Sequence, residues 1–316
     1  MGSATPHDDA ASEVFAICPA GELPLTDECR HYEGKHEVPW DIQKFVINDL
    51  YPSDLWLTLF RYFSQRYSIF SWYDEGVCLT DDAWFGVTPE PVANAIAADL
   101  QDSDPSKTVL IDAFAGAGGN TIAFALSGRW HHIIAIERDA STLACAQNNA
   151  RIYGVDPAMV TWVHGDSFDY LHTLVNRPET LHPALRLDIA ATVVFASPPW
   201  GGPGYRSDEI FDLRTMQPYN LEQLHGAYHL MDHVLFLPRT SDIRQIAGLA
   251  PEGRKIPVVQ YCMQGASKAM AAFIPAKATL PLSGQQASSR SQPASRLDHS
   301  DNDSSPSVEG STRPSR

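Results

Sequence analysis

The chain has 316 residues, 44% of them hydrophobic, and a formal net charge of −15. That apolar content fills one core and leaves loose ends, while the acidity argues against a broad phosphate-binding surface, which needs a basic field. No stretch reaches the ~20 apolar residues of a membrane span, the opening MGSATPHDDA lacks the basic and apolar regions of a secretory signal, and Cys18, Cys29, Cys78, Cys145 and Cys262 form no CxxC pair, the pattern of reduced intracellular thiols without disulfides or a zinc site.

Residues 1–45 are acidic and aperiodic (Asp8, Asp9, Glu13, Asp27, Glu28, Glu33, Glu37) and are expected to be disordered. Residues 46–100 read as a small helical annex. Its aromatics include Tyr51, Trp56, Phe60, Tyr62, Phe63, Tyr67, Phe70, Trp72 and Tyr73, and Leu55, Leu59 and Tyr62 fall at helical spacing. They serve either as core or as one wall of a substrate pocket. From residue 101 to 279 strand and helix patterns alternate. Thr108-Val-Leu-Ile-Asp-Ala-Phe114 reads as a buried strand, and a helix opens at Thr121. His132-Ile-Ile-Ala-Ile-Glu137 is a second strand, with a helix from Ala140 to Tyr153 behind it. Further strands follow at residues 160–164, 190–195 and 233–237, then a helix near residues 242–247. An antiparallel pair at 258–263 and 269–274 closes the domain. This alternation implies an α/β fold: a doubly wound, mostly parallel seven-stranded sheet with helices on both faces and ligands at the carboxyl ends of the strands. Residues 280–316 are rich in Ser, Gln, Asp and Pro and are expected to be disordered.

Four features carry chemistry. Asp112-Ala-Phe-Ala-Gly116-Ala-Gly118-Gly119-Asn120 follows a strand and opens a helix, so its glycines can admit a ligand close to the backbone. The spacing is not the GxGxxG of dinucleotide sites; it resembles the first motif of Rossmann-like methyltransferases. Glu137 ends the next strand about 20 residues on, where a carboxylate can accept both hydroxyls of a ribose. Asp166 ends the third strand, where such enzymes often hold the adenine amine; a helix N-cap is the equal alternative. Ser197-Pro198-Pro199-Trp200 follows the fourth strand. An exocyclic amine conjugated with its ring is a poor nucleophile. The Ser197 hydroxyl and a Pro198 carbonyl held rigid by proline can accept its two protons and aim its lone pair, and Trp200 offers a flat face for the base.

Ser197-Pro-Pro-Trp-Gly-Gly-Pro203, Tyr205 and Phe211-Asp-Leu-Arg-Thr-Met216 resemble the trimethylguanosine synthase family of RNA cap hypermethylases. So do Asp112 through Thr121, Phe124-Ala125, Gln65-Arg-Tyr67, Trp84-Phe85, Val87-Thr-Pro-Glu90, Phe236-Leu-Pro-Arg239 and Gln245-Ile-Ala247, so the likeness spans about residues 50 to 275. The resemblance implies a class I methyltransferase that uses S-adenosylmethionine. It would methylate N2 of the 7-methylguanosine cap of small nuclear and nucleolar RNA, giving the 2,2,7-trimethyl cap. Carried over, Trp200 stacks on the 7-methylguanine, Ser197 and Pro198 orient N2, and Arg239 approaches the cap phosphates. Phe85, Thr88, Asp112, Gly116, Gly118, Gly119, Glu137 and Asp166 hold the cofactor. Glu137, Gly204 and Thr240 depart from the family's usual Asp, Asp and Asn. The partners implied are m7G-capped small RNA and RNP proteins, with no DNA, membrane or metal, in the nucleus or nucleolus. Two alternatives stay open on sequence: another nucleobase- or glutamine-amino methyltransferase, and a catalytically silent RNA-binding adaptor, which would be expected to lose one of the two motifs.

Overall fold

The computed structural model describes residues 16–18, 23–33, 61–201, 208–263 and 265–277. The aromatic run at residues 51–60, the Gly204 and Tyr205 part of the Pro-Pro segment and the tail from Leu280 lie outside these residues. The chain falls into two units, Met1–Thr279 and Leu280–Arg316, and every described residue belongs to the first.

Among the described residues the sheet has eight strands: β1 (Ala16–Cys18), β2 (Val109–Asp112), β3 (His132–Glu137), β4 (Val160–His164), β5 (Thr192–Ala196), β6 (Asp232–Pro238), β7 (Val258–Met263) and β8 (Ala266–Ile274). Their order is β1-β4-β3-β2-β5-β6-β8-β7. The central five are parallel, and β6, β8 and β7 pair antiparallel at one end. The seven strands expected from the sequence are all present. The addition is β1, which pairs antiparallel with β4 through Ala16↔His164 and Cys18↔Trp162.

The central strands are apolar without a break because both faces are covered. Successive residues point to opposite sides, so each strand feeds two cores. Leu110, Ile133, Val193 and Val234 join one cluster, and Ile111, Ile134, Val194 and Leu235 the other. The first cluster takes Val92, Ala93, Ile96 and Ala97 of one helix (Glu90–Asp99), which with its shorter predecessors Arg66–Ile69 and Ala83–Gly86 makes α1 to α3 in chain order. It also takes Phe124 of α4 (Gly119–Leu126) and Leu143 and Ala146 of α5 (Ala140–Ile152). The second takes Tyr170 and Leu174 of α6 (Ser167–Asn176), Leu221 and Leu224 of α7 (Leu221–Tyr228) and Ile246 of α8 (Ile243–Ala247). Each fully buried Val, Leu, Ile or Phe side chain among these contributes ~1.5–3 kcal/mol.

The annex helix anticipated around Leu55 and Leu59 lies outside the described residues; residues 61–63 are helical. Phe63, Phe70, Tyr73 and Trp84 are buried in the same cluster as the sheet. The cation of Arg66, itself buried, lies 4.3 Å from the Phe63 ring centroid and 4.4 Å from that of Tyr67, so ring faces replace part of its lost hydration.

The expectation of a disordered segment to residue 45 needs correction where the chain is described. Beyond β1, residues 23–33 are tied down. Arg30 forms an isolated antiparallel bridge with Leu79, Thr26 Oγ1 donates to Ser141 Oγ at 2.8 Å, and the Tyr32 hydroxyl donates to Asp81 Oδ1 at 2.5 Å. Buried Tyr32 and Tyr73 also exchange backbone and hydroxyl bonds. A few anchors separated by acidic residues offset the ordering entropy without producing any period that a sequence would display.

Candidate functional site

The sheet brings the motif residues to one edge. Order reverses between β2 and β5, the switch point at which open α/β sheets bind ligands beyond their carboxyl ends. Asp112 ends β2, Glu137 ends β3, Asp166 follows β4, Ser197 follows β5 and Arg239 follows β6. Asp112 pairs in register with Phe195, and the Ala113 amide donates to the Phe195 carbonyl at 2.9 Å. The glycine turn and the Ser197-Pro198 turn are therefore neighbours.

Asp112 is completely buried. Thr121 Oγ1 donates to its Oδ2 at 2.6 Å, while Oδ1 has no hydrogen-bond partner among the described residues. Burial pushes its carboxyl up to about 7, opposed by the Thr121 hydroxyl and the Phe114 backbone amide. Glu137 accepts from the Gly116 amide at 3.0 Å through one oxygen and from the Asp139 amide at 2.9 Å through the other. It thereby couples the glycine turn to the N-terminus of α5. Desolvation raises its pKa, and the backbone donors oppose the rise.

The three glycines do different work. Gly116 has φ +53°, and a side chain there would project into open space. Gly118 has φ +91°, and an added Cβ would meet Ala146 of α5 at 3.2 Å. A Cβ on Gly119 would meet the Thr88 carbonyl oxygen at 3.2 Å. Gly116 is thus the glycine on the open side, whereas Gly118 and Gly119 let α5 and the 87–88 backbone close in. Thr88 is buried and receives a 3.0 Å hydrogen bond from Asn120 Nδ2. Phe85 is half-buried and packs edge-on against Tyr62.

Asp166 is an N-cap: Oδ1 accepts from the Phe168 and Asp169 amides at 2.8 and 3.4 Å. Its Oδ2 accepts from the Tyr219 hydroxyl at 3.1 Å, and exposed Arg138 stands 4.0 Å away. Ser197 is half-buried and Pro198 buried. Trp200 is half-buried where the two cores meet; its Nε1 donates to the Phe236 carbonyl at 3.2 Å, and its ring is tilted 43° to that of Phe236. Arg239 is exposed.

Asn120, Thr121, Phe114, Phe168 and Tyr219 belong to this edge but were not singled out as site residues. The first four lie within or beside the motifs; Tyr219 carries no motif. A separate cavity of about 520 Å³, lined by Ser71, Trp72, Asp74, Glu75, Arg151 and Ile152, shares none of the residues of this edge.

The arrangement fits S-adenosylmethionine. A completely buried carboxylate keeps one oxygen without a partner, a positive-φ glycine faces open space, and an acid ends the following strand. The comparisons agree. Residues 107–277 match the family model of RNA cap guanine-N2 methyltransferases. The trimethylguanosine synthase of Schizosaccharomyces pombe is 34% identical over 222 residues, 70% of this chain and 87% of that protein. That of Saccharomyces cerevisiae is 31% identical over 193 residues, 60% of this chain and 57% of its own length. Among solved structures, the O-methyltransferase TomG of Streptomyces achromogenes, itself in complex with S-adenosylmethionine, aligns at TM-score 0.41 and 14% identity over 74% of this chain and 96% of its own, a likeness too low to bear on this chain. With more than half of its length matched to the family, the chain belongs to the RNA cap guanine-N2 methyltransferases.

Proposed function

We propose that this enzyme methylates the exocyclic N2 of a 7-methylguanosine cap to give the 2,2,7-trimethylguanosine cap. The substrates in this reading are m7G-capped small nuclear and nucleolar RNAs, reached in the nucleus with the help of RNP proteins. The observation that carries the reading is the juxtaposition across β2 and β5. A glycine turn suited to a methyl donor and a Ser-Pro-Pro-Trp turn suited to a planar amine leave adjacent parallel strands at the switch point.

S-adenosylmethionine supplies a methyl group already activated on a sulfonium, so the protein's task is positioning. Glu137 holds the ribose and Asp166 the adenine amine. Phe85, Thr88 and the Gly116 turn enclose the rest, with Gly118 and Gly119 setting its packing. Ser197 Oγ and the Pro198 carbonyl accept hydrogen bonds from the two N2–H groups and point the lone pair along the transfer direction. N2 gives up one of these protons as its bond to the methyl carbon forms and the carbon–sulfur bond breaks. Trp200 carries the guanine, and Arg239, exposed one residue beyond β6, meets the phosphates. The −15 charge suits an enzyme that grips one cap rather than a length of RNA.

The direct test incubates the full chain with methyl-labelled S-adenosylmethionine and m7GTP, GTP or adenosine substrates, and identifies products by mass. Label entering N2 of m7GTP with little in GTP supports the reading; label in adenine or equally in GTP overturns it.

A further inference from the structure

Tyr219 sits where two needs of a bound adenosine, a ring face and a hydrogen-bond acceptor, converge, although it belongs to no motif. It lies immediately before Asn220, which closes a capping box at the start of α7. Its ring stacks on Phe168 with centroids 4.4 Å apart and planes 22° from parallel. It also leans on Phe114, 5.7 Å away. Its hydroxyl donates to Asp166 Oδ2. Phe114 leaves β2 and Phe168 follows β4, so these rings flank the end of β3 that bears Glu137.

The geometry leaves little choice. The inner side of Phe168 is backed by Tyr228, which is fully buried and has its ring centroid 6.0 Å away. The face that Phe168 turns outward is covered by Tyr219. Asp166 Oδ1 accepts from the two amides it caps, which leaves Oδ2 for other donors, and Tyr219 takes one of its two lone pairs. An adenine offers a flat ring and an exocyclic amine. Tyr219 offers a flat ring and a hydroxyl to the same ring face and the same oxygen, and one stacked position cannot hold both.

We propose that Tyr219 gates the adenine end of the cofactor site, occupying the place of the base and leaving when the cofactor binds. The inference rests on the reading of Asp166 as the acceptor of the adenine amine. Burial and the negative charge of Asp166 hold the Tyr219 hydroxyl above its ordinary pKa, so it remains a donor across the working pH range. Arg138 faces the same carboxylate from the solvent side, 4.0 Å from Oδ2. A ligand competing with an internal group binds more weakly by the fraction of molecules in the open arrangement.

The test is calorimetric titration of S-adenosylhomocysteine into the wild type, Tyr219→Phe and Tyr219→Ala, with melting curves for each. Tyr219→Ala is expected to bind about tenfold tighter, the factor for a closed arrangement populated about nine-tenths of the time. Tyr219→Phe keeps the ring and its packing but loses the donor, so its affinity is expected between the two. The KM for S-adenosylmethionine should fall in the same order. Unchanged or weaker binding in both variants overturns the gate and makes Tyr219 packing or a pocket wall. If Tyr219→Ala does not fold, Tyr219→Phe alone decides: affinity no tighter than wild type overturns the proposal. The hypoxanthine analogue of S-adenosylhomocysteine, which lacks the amine, tests the underlying reading separately. Equal affinity of the wild type for both compounds removes Asp166 from the adenine site whatever the Tyr219 variants show.

Discussion

Replacing Trp200 separates a base-stacking role from a packing role, because the structure shows that the ring has both opportunities. Its Nε1 bonds the Phe236 carbonyl at 3.2 Å, and its ring touches both cores while staying half exposed. A fully buried Trp→Ala change costs ~3–5 kcal/mol; for a half-buried ring roughly 2 kcal/mol of stability is expected. Trp200→Phe keeps a ring face and loses one hydrogen bond, ~0.5–1.5 kcal/mol. Methylation at N7 makes the guanine cationic, and a cation over Trp gains ~2 kcal/mol when desolvated, about a thirtyfold preference. The assay is kcat/KM on m7GTP and GTP for wild type, Trp200→Phe and Trp200→Ala, with Tm alongside. Wild type should favour m7GTP by about thirtyfold or more, Trp200→Phe should keep part of that preference, and Trp200→Ala should lose it. If Trp200→Ala instead lowers both substrates by one factor in step with Tm, the stacking argument fails.

Glu137→Gln leaves one carbonyl oxygen for two backbone donors and sets its amide N–H₂ against the other. Hydrogen bonds to a charged acceptor are worth ~1.5–3 kcal/mol, so calorimetry should show cofactor affinity falling by tenfold or more; unchanged affinity removes Glu137 from the site. Asp112 adds a pH dependence: its carboxyl, about 7 when folded and near 3.9 unfolded, binds its proton more tightly in the native state. Its contribution is full below about pH 4 and is lost as pH rises through 7, at up to ~1.4 kcal/mol per unit. Asp112→Asn, which can still accept from Thr121, should flatten that part of the urea-midpoint profile; an identical slope in the variant shows that other groups, such as Glu137 beside it, produce it. Arg239→Ala should raise KM for a capped dinucleotide and weaken its salt dependence while leaving cofactor affinity alone; equal KM at low and high salt in variant and wild type refutes a phosphate role.

The parallel core was legible because its strands are buried on both faces. Runs such as Ile133 to Ile136 and Val193 to Ala196 need no partner to identify them. The glycine turn was legible as a motif but not in its division of labour: only the packing of Ala146 against Gly118 and of the Thr88 backbone against Gly119 separates these two from Gly116. Asp166 shows the limit of reading an acid by position, since cap and ligand site call for the same residue at the same place, and here it caps while bonding Tyr219. Tyr219 was invisible because its partner Asp166 lies 53 residues away and an aromatic before an N-cap has no distinctive spacing. The anchored segment at residues 23–33 escaped for a similar reason: its bonds reach Leu79, Asp81 and Ser141, all distant in sequence.

The three residues of β1 determine what the sheet presents to other molecules. Without them β4 would be an outermost strand, and Val160-Thr-Trp-Val-His164 would offer an unpaired row of backbone donors and acceptors flanked by β-branched and aromatic side chains. Such a row is a template for cross-chain pairing and aggregation. A strand of only three residues covers its Trp162 to His164 part and is itself too short to recruit a stranger. Solubility of the catalytic unit thus depends on a part of the chain far from the chemistry, and an amino-terminal trim that leaves every motif intact would still unmask an adhesive edge.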